Sequence, residues 1–383
     1  MLDLFQTGFA GLTWGSVVML VIGGALIYLG IAKKMEPLLL VPIGFGVILV
    51  NLPFGGLMES VVNGNVVNSY AIGGEPAGVL ARVFRYGLVW ELIPVFIFLG
   101  LGAMTDFGPI IANPKTLLLG AGAQFGVYLA FFLALLLGFD IREAAPIGII
   151  GGADGPTTIY LTNRLAPTFI GATAVAAYTY MALVPIIQPP VIKLFTTKKE
   201  REIYMKPQLR SVSGTEKIIF PIVGAIIIIL LVPKSAPLIG MFMFGNLLKE
   251  SGVTDRLAET ASGDFINVLT ILLGLSVGAF MSAEAFLTSE SLMVFGLGIV
   301  AFATSTVFGI LLAKLMNLFL KEKLNPMIGA AGVSAVPMAA RVVQKMGQQA
   351  NPRNFLLMQA MGPNIAGVIG TATAAGIFLG MLG

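Results

Sequence analysis

Long apolar stretches, separated by short polar ones, dominate the pattern of this chain. An α-helix needs about 20 predominantly apolar residues to cross the hydrocarbon core of a bilayer. Stretches of that length, or close to it, run over residues 15–31, 37–52, 88–104, 116–138, 167–196, 217–233, 236–249, 265–281, 291–319 and 354–382. The pattern therefore predicts an all-α polytopic membrane protein.

Two further apolar segments, 144–162 and 325–343, are interrupted by glycine and proline, which predicts broken or re-entrant helices. The first contains the run Gly-Gly-Ala-Asp-Gly-Pro-Thr-Thr, in which Asp154 is the charged residue. A charge at bilayer depth is costly, and irregular backbone is tolerated there only where it is buried in protein or lines a cavity. The motif therefore indicates an ion or substrate site; the alternative is a surface loop between two helices.

The composition supports a membrane location and narrows the chemistry. The chain is 57% hydrophobic and 11% charged, whereas about a quarter of the residues of a soluble domain are charged. It contains no cysteine and no histidine, which excludes disulfides, thiolate chemistry and a Ser-His-Asp triad. Any catalysis must use Asp, Glu, Tyr, Lys, Arg or a bound cation. The net charge of +4 comes mainly from loops, so it indicates topology rather than nucleic-acid binding.

One loop, residues 193–217, carries seven lysines and arginines against three glutamates. The positive-inside rule places such a loop in the cytoplasm. It connects a first membrane repeat, 1–200, to a second, 217–383. The basic residues have two interpretations: topology signals alone, or a docking surface for a soluble partner.

The two halves resemble each other in sequence. Four short motifs of the first half recur in the same order in the second: Glu36–Leu40 in Ala236–Gly240, Phe98–Gly102 in Leu272–Ser276, Pro146–Pro156 in Pro326–Pro337, and Tyr180–Pro185 in Met358–Pro363. This order predicts an internal duplication. Paired segments interrupted by Gly and Pro are typical of transporter sites between two repeats. The repeats are inverted if each half crosses the membrane an odd number of times.

The duplication brings together several candidate ligands. The broken segments supply Asp154, Asn325 and Ser334, and the helices that follow them supply Tyr180 and Asn364. One carboxylate with amide, hydroxyl and carbonyl oxygens suits a hard cation, while the lack of His and Cys argues against zinc or iron. Sodium or a proton is the better fit. The alternative for Asp154 is a buried structural ion pair.

Two more residues have both a functional and a structural interpretation. Arg341 lies about two helical turns after Ser334 and could bind an anionic group bidentately. It could equally mark the cytoplasmic end of a helix. Tyr180 could donate a proton in an apolar site, or could simply pack.

Three of these motifs, Gly151–Thr158, Tyr180–Pro185 and Asn325 through Arg341, resemble the β subunit of the sodium-pumping, biotin-dependent decarboxylases. That family serves oxaloacetate, methylmalonyl-CoA, glutaconyl-CoA and malonate systems, and the resemblance covers nearly the whole chain. It implies a multi-pass protein of the inner (plasma) membrane that removes CO2 from carboxybiotin on a partner subunit, consumes a proton and exports sodium. The family resembles elevator-type transporters with inverted repeats.

The resemblance also implies roles and partners. It implies catalytic roles for Asp154, Tyr180 and Arg341, substrate binding by Arg341, Asn325 and Gly329, and sodium binding by Asp154, Ser334 and Asn364. The implied partners are carboxyltransferase and biotin-carrier subunits and a small single-span membrane subunit, with the chain forming a homotrimer. A sodium-coupled organic anion transporter is the alternative function. The acyl substrate is not indicated, since that chemistry belongs to a partner.

Overall fold

The computed structural model describes residues 7–63, 65–67, 74–206 and 210–383. The helices of the first half are α1 (Trp14–Ala32), α2 (Pro37–Asn51), α3 (Val79–Val83), α4 (Leu92–Met104), α5 (Gly108–Ala112), α6 (Thr116–Leu136), α7 (Ile141–Ile150), α8 (Gly155–Leu165) and α9 (Ile170–Phe195). The short helix α10 (Lys198–Arg201) lies in the connecting loop. The second half contains α11 (Gly214–Leu231), α12 (Ala236–Glu250), α13 (Asp255–Thr260), α14 (Ile266–Ala279), α15 (Ala283–Phe286), α16 (Ser289–Phe319), α17 (Met327–Ala330), α18 (Met338–Ala350) and α19 (Leu357–Leu382).

Seven helical segments of the described residues are long and apolar enough to cross a membrane. They are Trp14–Ala32, Thr116–Leu136, Pro167–Phe195, Gly214–Leu231, Asp255–Ala279, Ser289–Phe319 and Leu357–Leu382. An eighth span arises if the pair Val79–Val89 and Leu92–Met104, bent by 62°, is counted as one. The predicted all-α polytopic membrane class is confirmed.

A small antiparallel sheet is the part of the fold that the hydrophobic pattern does not predict. It consists of β1 (Ser60–Val62), β2 (Asn65–Val67) and β3 (Glu75–Pro76), in the order β2-β1-β3. The paired strands are rich in valine, a β-branched residue that favours extended backbone. They lie in region 53–87, the longest stretch of the first half that lacks a spanning pattern.

The order of elements recurs in the two halves. Each half has two helices, a short helix that runs into a π-helical turn and is followed by a longer helix, another short helix, a long helix, a broken pair and a final helix. The π-helical turns are Phe84–Val89 and Ala261–Phe265. Helices of one half also pack against helices of the other: α2 packs against α14, α4 against α12, and α6 against α16.

Ion pairs connect several helix ends on one side of the protein, which we call the basic side. The Nζ of Lys217, at the start of α11, lies 3.2 Å from Oδ1 of Asp106 and 3.6 Å from Oε2 of Glu250. Lys314, near the end of α16, places its Nζ 3.0 Å from Oε1 of Glu200. The connecting loop and the ends of α4, α12 and α16 therefore lie together.

A second set of ends, which we call the opposite side, is joined by asparagine side chains. Asn51 closes α2 and donates to the carbonyl of Met281, just beyond α14, over 2.7 Å. Asn163 near the end of α8 donates to the carbonyl of Val89 over 2.7 Å. Helix α4, which follows Val89 and ends just before Asp106, therefore runs between the two sides.

The neighbours of Asp106 on the basic side stabilise its ionised carboxylate. Burial raises the pKa of its carboxyl, but the Gly108 N–H and the Lys217 ammonium outweigh that effect and lower the pKa below its usual value. The carboxylate thus stays ionised and paired at neutral pH.

Candidate functional site

The first broken segment turns at Asp154. Helix α7 ends at Ile150, Ala153 adopts a left-handed φ of 54°, and Asp154 caps the start of α8. Its Oδ1 accepts a hydrogen bond from the backbone N–H of Thr157 over 3.0 Å. The side chain is buried, with 4% of the residue exposed. A carboxylate at a helix N-terminus satisfies free backbone donors and is stabilised by the helix dipole.

The second broken segment meets the first at Ser334. The Ser334 hydroxyl donates to Oδ2 of Asp154 over 2.7 Å. The Ser334 backbone N–H donates to the carbonyl of Gly152 over 2.7 Å. The structure therefore brings together Asp154 and Ser334, which lie in different halves of the chain, and it does so at the two helix breaks.

Asn364, on α19, holds the second break in shape. Its Nδ2 lies 2.7 Å from the carbonyl of Val333 and 3.1 Å from that of Ala331. Its Oδ1 is buried and has no hydrogen-bond partner among the described residues. The amide therefore orients the chain beside Ser334 and keeps one oxygen available.

Two more buried oxygens near Asp154 are unpaired. The hydroxyls of Thr157 and Tyr178 have no hydrogen-bond partner in the part of the chain that the structure describes. Leaving a buried hydroxyl unpaired costs about 1–3 kcal/mol. Together with Asn364, the neighbourhood of one carboxylate thus contains three oxygens with unused acceptor capacity.

A cavity of about 200 Å³ borders this site. Asp154, Ser334 and Tyr178 are among the residues that line it, as are Thr105 and Glu36 at the ends of α4 and α2. Thr105 directly precedes Asp106, so the cavity runs from the two breaks toward the basic side.

Arg341 lies near the cavity but does not line it. It is exposed on the first turns of α18. Burial raises the pKa of the Glu36 carboxyl, and the Arg341 guanidinium partly opposes this rise. The charge of Arg341 therefore acts on a residue of the cavity wall.

The structure does not bring Tyr180 to the cavity. Its hydroxyl donates to the carbonyl of Phe295 on α16, and its ring covers Gly298 of the same helix. Residues two apart on a helix point to opposite faces, so α9 presents Tyr178 rather than Tyr180 to Asp154. The proton-donor role of Tyr180 stays a prediction.

Asn325 and Gly329 also lie away from the cavity wall. Asn325 donates from Nδ2 to the carbonyls of Arg201, over 2.8 Å, and Ile203, over 3.0 Å, while its Oδ1 accepts from the N–H of Met327. It ties the second broken segment to the connecting loop. Gly329 lets α17 touch α16. Their predicted roles in substrate binding remain predictions.

Sequence reasoning missed Tyr178 and Thr157. Thr157 belongs to the motif that the sequence already singles out, so its place one turn after Asp154 could have been noticed. Tyr178 carries no such signal, because a tyrosine among the alanines of α9 reads as packing. Within the described residues, no three acidic side chains gather into a metal-binding group, so the site offers one charge among neutral oxygens.

Comparison with known proteins places the chain in context. Residues 15–382 match the family described as the Na+-transporting oxaloacetate decarboxylase beta subunit. The chain is 55% identical to the methylmalonyl-CoA decarboxylase subunit beta of Propionigenium modestum, covering 100% of this chain and 99% of that protein. It is 55% identical to the glutaconyl-CoA decarboxylase subunit beta of Acidaminococcus fermentans, with coverage of 99% and 96%. The oxaloacetate decarboxylase beta chain of Klebsiella pneumoniae is 50% identical, with coverage of 95% and 94%.

Proposed function

Because the chain belongs to the family of sodium-transporting decarboxylase β subunits, we propose that it removes CO2 from carboxybiotin and carries sodium through the Asp154 site. Members of this family are membrane subunits that couple decarboxylation to sodium export and work in complexes with other subunits. The chain is accordingly a multi-pass protein of the bacterial plasma membrane.

The observation that carries the proposal is the hydrogen bond between Ser334 and Asp154 across the two helix breaks. A single carboxylate with hydroxyl and amide oxygens balances a monovalent cation without holding it as tightly as a group of carboxylates would. We propose Asp154, Ser334 and Asn364 as its ligands. The proposed ligands come from both halves of the chain, so neither half forms the site alone.

We propose that the repeats 1–200 and 217–383 are inverted and work as an elevator-type transporter, with residues 193–217 connecting them. The anchoring of the two breaks supports this. The α7–α8 pair is tied to the opposite side through Asn163, whereas the α17–α18 pair is tied through Asn325 to the connecting loop on the basic side. The two broken segments thus enter from opposite sides and meet at their tips.

The cavity supports a direction of entry. It extends toward the basic side, which the positive-inside rule places in the cytoplasm, so sodium and carboxybiotin both approach from there. Moving one charge against 100 mV requires about 2.3 kcal/mol. Decarboxylation supplies this drive only if the inward-facing and outward-facing states differ in their contacts with substrate or ion.

The residues have distinct parts in the proposed reaction. Loss of CO2 from carboxybiotin leaves a negative ureido group that takes up a proton. Arg341 steers the carboxylate of the substrate at the cytoplasmic end of the cavity, and Asn325 and Gly329 shape the second broken segment. For Tyr180 to donate the proton, its hydroxyl must exchange the Phe295 carbonyl for the substrate. Asp154 is an alternative proton carrier when sodium leaves.

We further propose that the partners are a carboxyltransferase subunit, a biotin-carrier subunit and a small single-span membrane subunit, with this chain forming a homotrimer. Biotin is carried by the partner, and the acyl substrate is set by the carboxyltransferase. Relatives with three different acyl substrates at 50–55% identity support a membrane subunit whose own chemistry is shared.

Transport of sodium during decarboxylation tests the proposal directly. In inverted membrane vesicles that contain the complete complex, supplied N-carboxybiotin should drive accumulation of radioactive sodium. Avidin, which sequesters the biotin group, should abolish it. Uptake of sodium together with a labelled organic anion, in the absence of any biotin compound, would instead establish the symporter alternative.

Exchange of Arg341 for lysine tests substrate steering. Lysine keeps the charge but loses the planar pair of donors that matches a carboxylate. We expect the KM for N-carboxybiotin to rise about tenfold, the equivalent of one charge-assisted hydrogen bond, with half-saturating sodium unchanged. Lys345→Arg, one turn along the same helix, is the matched control and should leave both constants unaltered. An unchanged KM in Arg341→Lys would leave Arg341 as a topology signal only.

A further inference from the structure

Tyr178 is a buried tyrosine on α9 that the sequence motifs do not single out. Tyr178 is 1% exposed, and its ring lies directly against Gly155, the residue after Asp154. A Cβ on Gly155 would overlap the ring carbon Cζ, which carries the hydroxyl. The polar end of the tyrosine therefore lies beside the helix break, in the cavity that Asp154 and Ser334 also line.

The hydroxyl of Tyr178 lacks a hydrogen-bond partner in the described part of the chain. A phenylalanine would fill the same volume without the cost of an unpaired buried hydroxyl. Packing alone therefore does not account for a tyrosine here. An oxygen that lies in the same cavity as a buried carboxylate and keeps its lone pairs free is suited to contact a cation bound to that carboxylate.

We infer that the Tyr178 hydroxyl is a further sodium ligand, contributed by α9 to the site of Asp154 and Ser334. This rests on the proposed function and adds a neutral oxygen from a third element. Asp154 and Ser334 come from the two breaks, whereas α9 is a continuous helix beside them. The glycine at position 155 is then explained as well, since only the lack of a side chain there lets the phenol ring pack against the helix break.

The two neighbouring tyrosines give opposite expectations for stability. Tyr178→Phe removes a hydroxyl that has no partner, so the thermal stability of the complex without sodium should be equal to or above that of the wild type. Tyr180→Phe removes a hydrogen bond to the Phe295 carbonyl, so its stability should be lower. A difference in this direction shows that the hydroxyl of Tyr178 is not retained for folding.

Sodium titration of the complete complex tests the ligand role. In Tyr178→Phe we expect the sodium concentration that gives half the maximal rate of N-carboxybiotin decarboxylation to rise about tenfold. This is the effect expected when a bound cation loses one oxygen ligand. The rate at saturating sodium should stay within about twofold, since the reacting atoms are not touched. The upward shift of the unfolding temperature by sodium chloride, relative to choline chloride, should weaken in parallel because it reports binding.

Tyr160→Phe provides the matched control, because Tyr160 is a buried tyrosine on α8 that lies outside the cavity lining. It should leave half-saturating sodium unchanged. If Tyr178→Phe behaves like Tyr160→Phe in both measurements, the ligand role is overturned while the proposed sodium site stands. If sodium neither stimulates the wild type nor raises its unfolding temperature, it is the proposed function that fails.

Discussion

Replacing Asp154 by asparagine should lower sodium-stimulated decarboxylation by about a hundredfold or more. The amide has nearly the shape of the carboxylate but carries no charge, so a bound cation would be left without a counter-charge inside the protein. Removing one member of a buried ion pair costs roughly 3–5 kcal/mol. The measurement is the decarboxylation rate of the reconstituted complex over a range of sodium concentrations.

The fold should survive this exchange, which makes the loss interpretable. The amide oxygen can still accept from the N–H of Thr157, and asparagine caps helices about as well as aspartate. The amide nitrogen would face the Ser334 hydroxyl, which can turn to accept. A variant that assembles normally but no longer responds to sodium would therefore report the charge rather than the packing.

Asp106→Asn is the matched control for charge removal. Asp106 is partly exposed, with 45% of its side chain accessible, and pairs with Lys217 on the basic side. Exposed ion pairs contribute about 0–1 kcal/mol, so sodium dependence should be preserved. Sodium-stimulated turnover in Asp154→Asn at the level of Asp106→Asn would show that Asp154 is a structural cap and not part of the ion site.

The contrast between Asp154 and Tyr180 shows what the sequence could predict. Asp154 stands out because a charge in an apolar, glycine-rich segment is costly, and the matching motif in the second half pointed to Ser334 as its neighbour. In the structure, Oγ of Ser334 lies 2.7 Å from Oδ2 of Asp154. Helices and breaks follow hydropathy and the positions of Gly and Pro, so their places could be predicted. Their lengths could not in every case, since the stretches 37–52 and 236–249 form helices of only 15 residues.

Side-chain direction could not be predicted in the same way. Tyr178 and Tyr180 differ by two positions on one helix, and which of them faces Asp154 depends on how α9 packs against α8 and α16. Asn325 likewise looked like a ligand because of its type. Its amide nitrogen instead binds carbonyls of the connecting loop, and its amide oxygen accepts from the N–H of Met327 in its own segment. Such assignments depend on long-range packing, which a single sequence does not reveal.

Gly329→Ala should destabilise the complex strongly. A Cβ at Gly329 would overlap the carbonyl oxygen of Gly309 on α16, and a Cβ at Gly309 would overlap the carbonyl of Gly329. Small residues let membrane helices approach closely in this way. Overpacking typically costs about 1–3 kcal/mol, and we expect the upper end because the obstructing atoms are backbone. The thermal unfolding temperature of the purified complex is the measurement.

Gly296→Ala is the matched control on the same helix, since none of the described atoms would lie within 4 Å of its Cβ. It should be neutral or slightly stabilising, because alanine favours helix over glycine.

The effect of Gly329→Ala on the site separates packing from substrate binding. Ser334 follows Gly329 by five residues, so pushing α17 away from α16 would pull the Ser334 hydroxyl from Asp154. If Gly329 acts through packing, half-saturating sodium should rise together with the loss of stability. If it instead contacts carboxybiotin, stability and sodium dependence should remain normal while the KM for N-carboxybiotin rises. The close contact between the backbones of Gly329 and Gly309 favours the packing result. The hydrogen bond from Ser334 to Asp154 can form only if α17, which leads to Ser334, is fixed against α16.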